Sequence, residues 1–260
     1  MPHSIPDQIG EALGLAHPSW HSILQDALRE VAAADPAYLP SLVSAAYLPT
    51  GGRLFAAFRI PLDAVRYVLV GEGPYPREAS ATGVCFMDGA VRSLWSEKGL
   101  SKQVNRATSL RNFMKMLLVA DGTLSVDATS GAALEEVARR VAAGTSPYIR
   151  DLSELQDNLV GRGFLLLNAT LVFRHDVPPV RDARAWRPFL RIVLEALAAR
   201  RASDQLPLLV LWGKIAEQLA GLEVTSRLPS VRSEHPYNLS FISNAAMREL
   251  FGPMRLLQKG

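Results

Sequence analysis

Four short stretches carry the side chains best suited to chemistry, and each follows an apolar run. "GEGPYP" at 71–76 follows "YVLV" and offers the Glu72 carboxylate beside the backbone amides of a glycine-containing turn. "NAT" at 168–170 follows "FLLL". Its first residue, Asn168, has a side-chain amide that both donates and accepts hydrogen bonds. "WGK" at 212–214 closes a third apolar run, and "HPYNLS" at 235–240 begins with His235. Three of the four stretches hold residues capable of base or phosphate chemistry.

The elements that must position these stretches are strands. "RYVLVG" (66–71), "GFLLLN" (163–168) and "PLLVLWG" (207–213) are continuous apolar runs, with a shorter "VRSEH" at 231–235. Unbroken rather than alternating apolarity means burial on both faces, as in a parallel sheet covered by helices. Helical spacing predicts helices over 20–34, 109–119, 132–143, 186–201, 214–222 and 244–257, the last kinked or ended near Pro253. The expected fold is therefore α/β, a three-layer α/β/α sandwich around a four-stranded, mostly parallel sheet. In such sheets a site lies beyond the carboxyl ends of the strands, where the four stretches fall.

Composition narrows the classes. With 260 residues, 48% hydrophobic and 20% charged, the chain suits one large domain over 1–260, with 1–19 as an N-terminal extension. A net charge of +3 is compatible with a polyanionic partner. A single cysteine, Cys85, excludes an internal disulfide framework and any multi-cysteine metal site, and points to a reducing, cytoplasmic setting. No secretion signal, membrane span, repeat, phosphate-binding Gly-Lys loop or serine nucleophile elbow is found.

"GEGPYPREASATGVCF" resembles, without a gap, the water-activating loop of family 1 uracil-DNA glycosylases, Gly-Gln-Asp-Pro-Tyr-His followed by Gly-Leu-Cys/Ala-Phe. "GFLLLNATL", "LLVLWGKIAEQL" and "HPYNLS" are similar to that family's later motifs, in the same order, and "LPTGGRLFAAFR" and "VRDARAWRPFL" fit its corresponding stretches. The resemblance runs from about Trp20 to the C-terminus. It implies a monomeric enzyme that flips a base out of single- or double-stranded DNA and hydrolyses its N-glycosidic bond without metal or cofactor. Residue by residue it implies that Asn168 reads the base and that Phe86 stacks on it. Tyr75 crowds its C5 edge, and His235 stabilises the departing anion. Leu239 enters the duplex, and Ser109 and Ser240 grip phosphates. Each also has an ordinary structural role available: Asn168 as a turn cap, Phe86 as core, the serines as caps. His3, His17, His21 and His175 receive no role.

The chain departs from the pattern where the family's catalytic aspartate stands, which here is Gly73. Pro76 replaces the family's histidine, and Tyr237 and Asn238 replace its serine and proline. Three functions fit these departures. The first is a glycosylase whose water is handled by Glu72. The second is a glycosylase with room for a modified pyrimidine. The third is a catalytically silent DNA-binding or protein-interaction module.

Overall fold

β1 (Tyr67–Gly71) lies inside a four-stranded sheet because nothing along it is polar enough to need water, and its three middle residues are buried. The other strands in chain order are β2 (Trp95–Ser96), β3 (Gly99–Leu100), β4 (Phe164–Asn168), β5 (Leu208–Trp212) and β6 (Ser230–Ser233). The computed structural model describes residues 5–143, 146–200 and 206–259. The main sheet has the order β4-β1-β5-β6, and β2 and β3 form a separate small hairpin. β1 runs parallel to both neighbours, with Tyr67 opposite Phe164 and Leu208, and Gly71 opposite Asn168. All five residues of β4 are buried. Helices surround this sheet, giving the α/β architecture that the apolar runs predict.

Several boundaries differ from the sequence expectation, each for a local reason. The helix expected from Trp186 is Pro179–Ala198, because proline fits the first helical position, where no amide bond is lost. Arg201, at its expected end, lies outside the described residues. The strand expected over 231–235 ends at Ser233, so His235 sits in a turn closed by the Asn238 amide donating to the His235 carbonyl at 2.9 Å. The last helix, Ala245–Phe251, gives way to a 3-10 turn at Gly252–Met254. The helix Leu152–Gly161 has no counterpart among the expected helices, although Asp151 and Glu154 form a capping box at its start.

Backbone contacts divide the chain into two compact units. One comprises 1–89, 163–211 and 215–230, the other 90–162, 212–214 and 231–260.

Candidate functional site

In the first unit, the end of β1 and the end of β4 meet side by side. The Ala169 amide donates to the Gly71 carbonyl at 2.8 Å and the Thr170 amide to the Glu72 carbonyl at 3.1 Å, so the sheet ladder continues into both turns. Asn168 is only 4% exposed. A Cβ on Gly71 would stand 2.5 Å from the Cys85 sulfur and 3.2 Å from Asn168 Oδ1. A side chain at 71 is therefore excluded by the two groups that flank it, and Cys85 and Asn168 pack against the same bare backbone.

Phe86 follows directly. The Cys85 amide donates to the Leu166 carbonyl of β4 at 3.0 Å, which ties this loop to the strand carrying Asn168. Phe86 itself adopts φ +67°, one of two non-glycine residues with positive φ among the described residues. Such a conformation costs roughly 1–3 kcal/mol and persists only where the surroundings enforce it, a pattern concentrated at binding sites. The Tyr75 hydroxyl reaches the Phe86 carbonyl at 3.5 Å. Burial first, then the neighbouring Cys85 and Asp88, holds the Tyr75 phenol well above its ordinary value. Burial likewise pushes the Cys85 thiol up to about 12, so it is a packed thiol and not a nucleophile at neutral pH. Tyr75 and Phe86 thus meet through the Phe86 carbonyl, and the Cys85 amide ties their loop to β4, the strand that ends at Asn168.

Glu72 is exposed, and among the described residues its carboxylate takes no hydrogen bond. It lines a cavity of about 650 Å³ together with Gly73, Pro74, Thr170, Arg174 and Asp182. Tyr75, Phe86 and Asn168 do not line that cavity. A Cβ on Gly73 would meet the Thr170 carbonyl oxygen at 3.4 Å and the Thr170 Cβ at 3.6 Å, ordinary contacts. The backbone therefore does not demand glycine at 73. One wall of the cavity is a buried ion pair that the sequence did not suggest. Arg174 Nη2 meets Asp182 Oδ1 at 2.5 Å, and the Tyr38 hydroxyl donates to the same carboxylate oxygen at 2.7 Å.

In the second unit, His235 is exposed and backs onto Gly213, where an added Cβ would lie 3.0 Å from the His235 Cβ. Gly213 has φ +65°, a further reason for glycine there. His235 Nδ1 accepts the Tyr237 amide at 3.1 Å. A nitrogen that accepts cannot carry the proton, so the neutral ring holds it on Nε2, as a donor. Leu239 opens the 3-10 turn Leu239–Ser243, whose Phe241 and Ile242 are buried anchors. Leu239 is 70% exposed, and Ser240 beside it is exposed too. Ser109 lies in the first turn of the helix Thr108–Ala120, half-buried. Three residues on, the same helix carries Asn112, which sequence reasoning missed. Its one signal was a polar residue on an otherwise apolar helix face.

Among proteins of known name, this chain is 30% identical over 207 residues to the uracil-DNA glycosylase of Mycobacterium sp. (strain KMS), covering 79% of this chain and 71% of that protein. It is 29% identical over 243 residues to the uracil-DNA glycosylase of Tropheryma whipplei (strain Twist), covering 92% and 85%. Among solved structures, the wild-type UNG from Nitratifractor salsuginis is 41% identical, with a TM-score of 0.87 and 98% of each chain covered. No protein-family model matches the chain.

Proposed function

We propose that this chain, which belongs to the uracil-DNA glycosylase superfamily, removes uracil from DNA and leaves an abasic site. It is a DNA glycosylase, hydrolysing the N-glycosidic bond. The observation that supports a flat base as substrate is the buried amide of Asn168 at the end of β4, the strand to which the loop carrying Phe86, in a left-handed backbone, is tied by the Cys85 amide. A flat heterocycle with a donor–acceptor edge is the ligand such a pair fits.

The reaction follows from the charges it creates. The bond from the sugar C1′ to the base nitrogen breaks with its electron pair leaving on the base. A neutral His235, with its proton on Nε2, stabilises the resulting anion by hydrogen bonding. Water then adds to the positive sugar and gives up a proton. Glu72 takes that proton in this reading, because it is the carboxylate adjacent to the position the family fills with aspartate. Leu239 fills the place the base vacates, a reading supported by its match to the family's wedge leucine and by its 70% exposure at the start of its turn. Ser109 and Ser240 contact flanking phosphates.

A second reading, excision of a modified pyrimidine, is favoured by the absence of a side chain at Gly73, which lines the cavity of about 650 Å³ where the family's pattern has an aspartate. Both are tested by incubating the protein with oligonucleotides containing uracil, hypoxanthine or 5-substituted cytosines and cleaving abasic sites with alkali. Cleavage at uracil is expected. Cleavage confined to a substituted base supports the second reading, and no cleavage on any substrate refutes both and leaves a silent DNA-binding module.

A further inference from the structure

The Asn112 side chain is 0% exposed, and its amide nitrogen faces three consecutive backbone carbonyls of the 235–240 loop. It reaches Pro236 O at 2.8 Å, Tyr237 O at 3.3 Å and Asn238 O at 3.4 Å. The amide's own oxygen accepts from Arg111 Nε at 3.4 Å. Three acceptors gathered around one nitrogen fix the amide's orientation, since only the NH₂ end can donate. The Pro236 carbonyl is buried and needs a partner, and by supplying it Asn112 holds the loop against the helix Thr108–Ala120. The loop starts at His235 and ends at Leu239 and Ser240. Two further bonds, the Tyr237 amide to His235 Nδ1 and the Asn238 amide to the His235 carbonyl, are internal to the loop and shape it without anchoring it to the helix.

We propose that Asn112 is a positioning residue that sets His235 and Leu239 for base excision by clasping the carbonyls of Pro236, Tyr237 and Asn238. This rests on the excision activity proposed above. It adds a residue that touches neither base nor DNA but fixes the loop that does. An aspartate at 112 has the same shape and opposite hydrogen-bonding character. Ionised, it would set an oxygen against three oxygens. Protonated, it regains one donor, and its acceptor-rich surroundings favour that neutral form.

The test uses Asn112→Asp and Asn112→Leu, the second isosteric and without donor or charge. Single-turnover excision on uracil duplex is expected to fall by about 100-fold, the effect of misplacing a reacting group by about 1 Å. The Asp variant should recover relative to the parent protein as pH is lowered, whereas the Leu variant should not. In a His235→Ala background the same substitutions should have a clearly smaller further effect on rate, because one of the two residues they position is gone. A separate arm needs no activity: amide hydrogen exchange in 237–241 should accelerate in both variants while exchange in 164–168 is unchanged. If the parent excises nothing, the activity reading fails, and hydrogen exchange still decides the clasp. Parental exchange in 237–241 overturns the proposal. So does full additivity with His235→Ala, or loss of the whole fold in both variants, which would make Asn112 a general core residue.

Discussion

Gly71→Ala is the smallest change that probes the cluster holding Asn168. The added methyl carbon would stand 2.5 Å from the Cys85 sulfur and 3.2 Å from Asn168 Oδ1. Apolar atoms at rest sit about 3.5–4.0 Å apart, so the overlap with sulfur is on the order of 1 Å. Neither neighbour has room to withdraw, because Cys85 and Asn168 are both buried. Overpacking of this kind costs typically about 1–3 kcal/mol. At roughly 2–4 °C per kcal/mol for a chain of this size, the midpoint should drop by about 2–12 °C. The strain is shared with the Asn168 amide, so uracil excision should fall more steeply than stability, by up to about 100-fold. The two contacts separate in a cycle with Cys85→Ala. Removing the sulfur relieves the shorter contact and leaves the one to Asn168, so Gly71→Ala/Cys85→Ala should regain most of the midpoint and only part of the rate. The assays are thermal unfolding and single-turnover cleavage on a uracil duplex, with Cys85→Ala alone as reference. A Gly71→Ala protein with parental midpoint and rate, or a double variant no more stable than the single, would refute the packing logic.

Three further outcomes are expected. Glu72→Gln should slow single-turnover excision roughly 10²- to 10⁴-fold, the range for a positioned acid or base; a full parental rate would remove Glu72 as the group that handles water, and a large gain from Gly73→Asp would show which position the water prefers. Leu239→Ala should lower activity on duplex more than on single-stranded DNA, where nothing must be unstacked, and duplex binding should weaken with salt; equal losses on both substrates would make Leu239 a packing residue. Because burial holds the Cys85 thiol at about 12 in the fold, its contribution to stability is full below the unfolded value near 9. That contribution is lost as pH rises towards the folded value, since the unfolded chain releases its proton first. The denaturant midpoint between pH 8 and 11 should therefore fall faster in the parent than in Cys85→Ala.

The three buried strands are legible in the sequence because Val68–Val70, Leu165–Leu167 and Leu209–Leu211 are unbroken apolar runs, and only a sheet covered on both sides asks for that. The ends of those runs point to Glu72 and Asn168 by their position alone. What the sequence hides depends on contacts between distant residues. The approach of Cys85 to Gly71 has no periodicity. The left-handed backbone of Phe86 is enforced by its surroundings, against the residue's own preference. The Asn112 clasp joins residues more than a hundred positions apart, and a single asparagine in a helix announces nothing about the carbonyls it will meet. The exit of His235 from its strand is set by Pro236 and by the turn it closes, details finer than an apolar pattern can resolve.

The register of the sheet also sets the order in which the protein can form. β1 is synthesised early, yet both of its partners come late: Tyr67 pairs with Phe164 and Leu208. A ribosome must therefore add Leu208–Trp212 before the middle strand of the sheet is flanked on both edges. Until then the nascent chain carries an apolar strand with open edges, the kind of segment that pairs with other chains. Pairing across loops of this length is also slower than forming local helical contacts, because the loop must close before any pairing rewards it. Chains truncated between β4 and β5 should accordingly collect as aggregates, while chains extended past β5 gain the strand that completes the protection of β1.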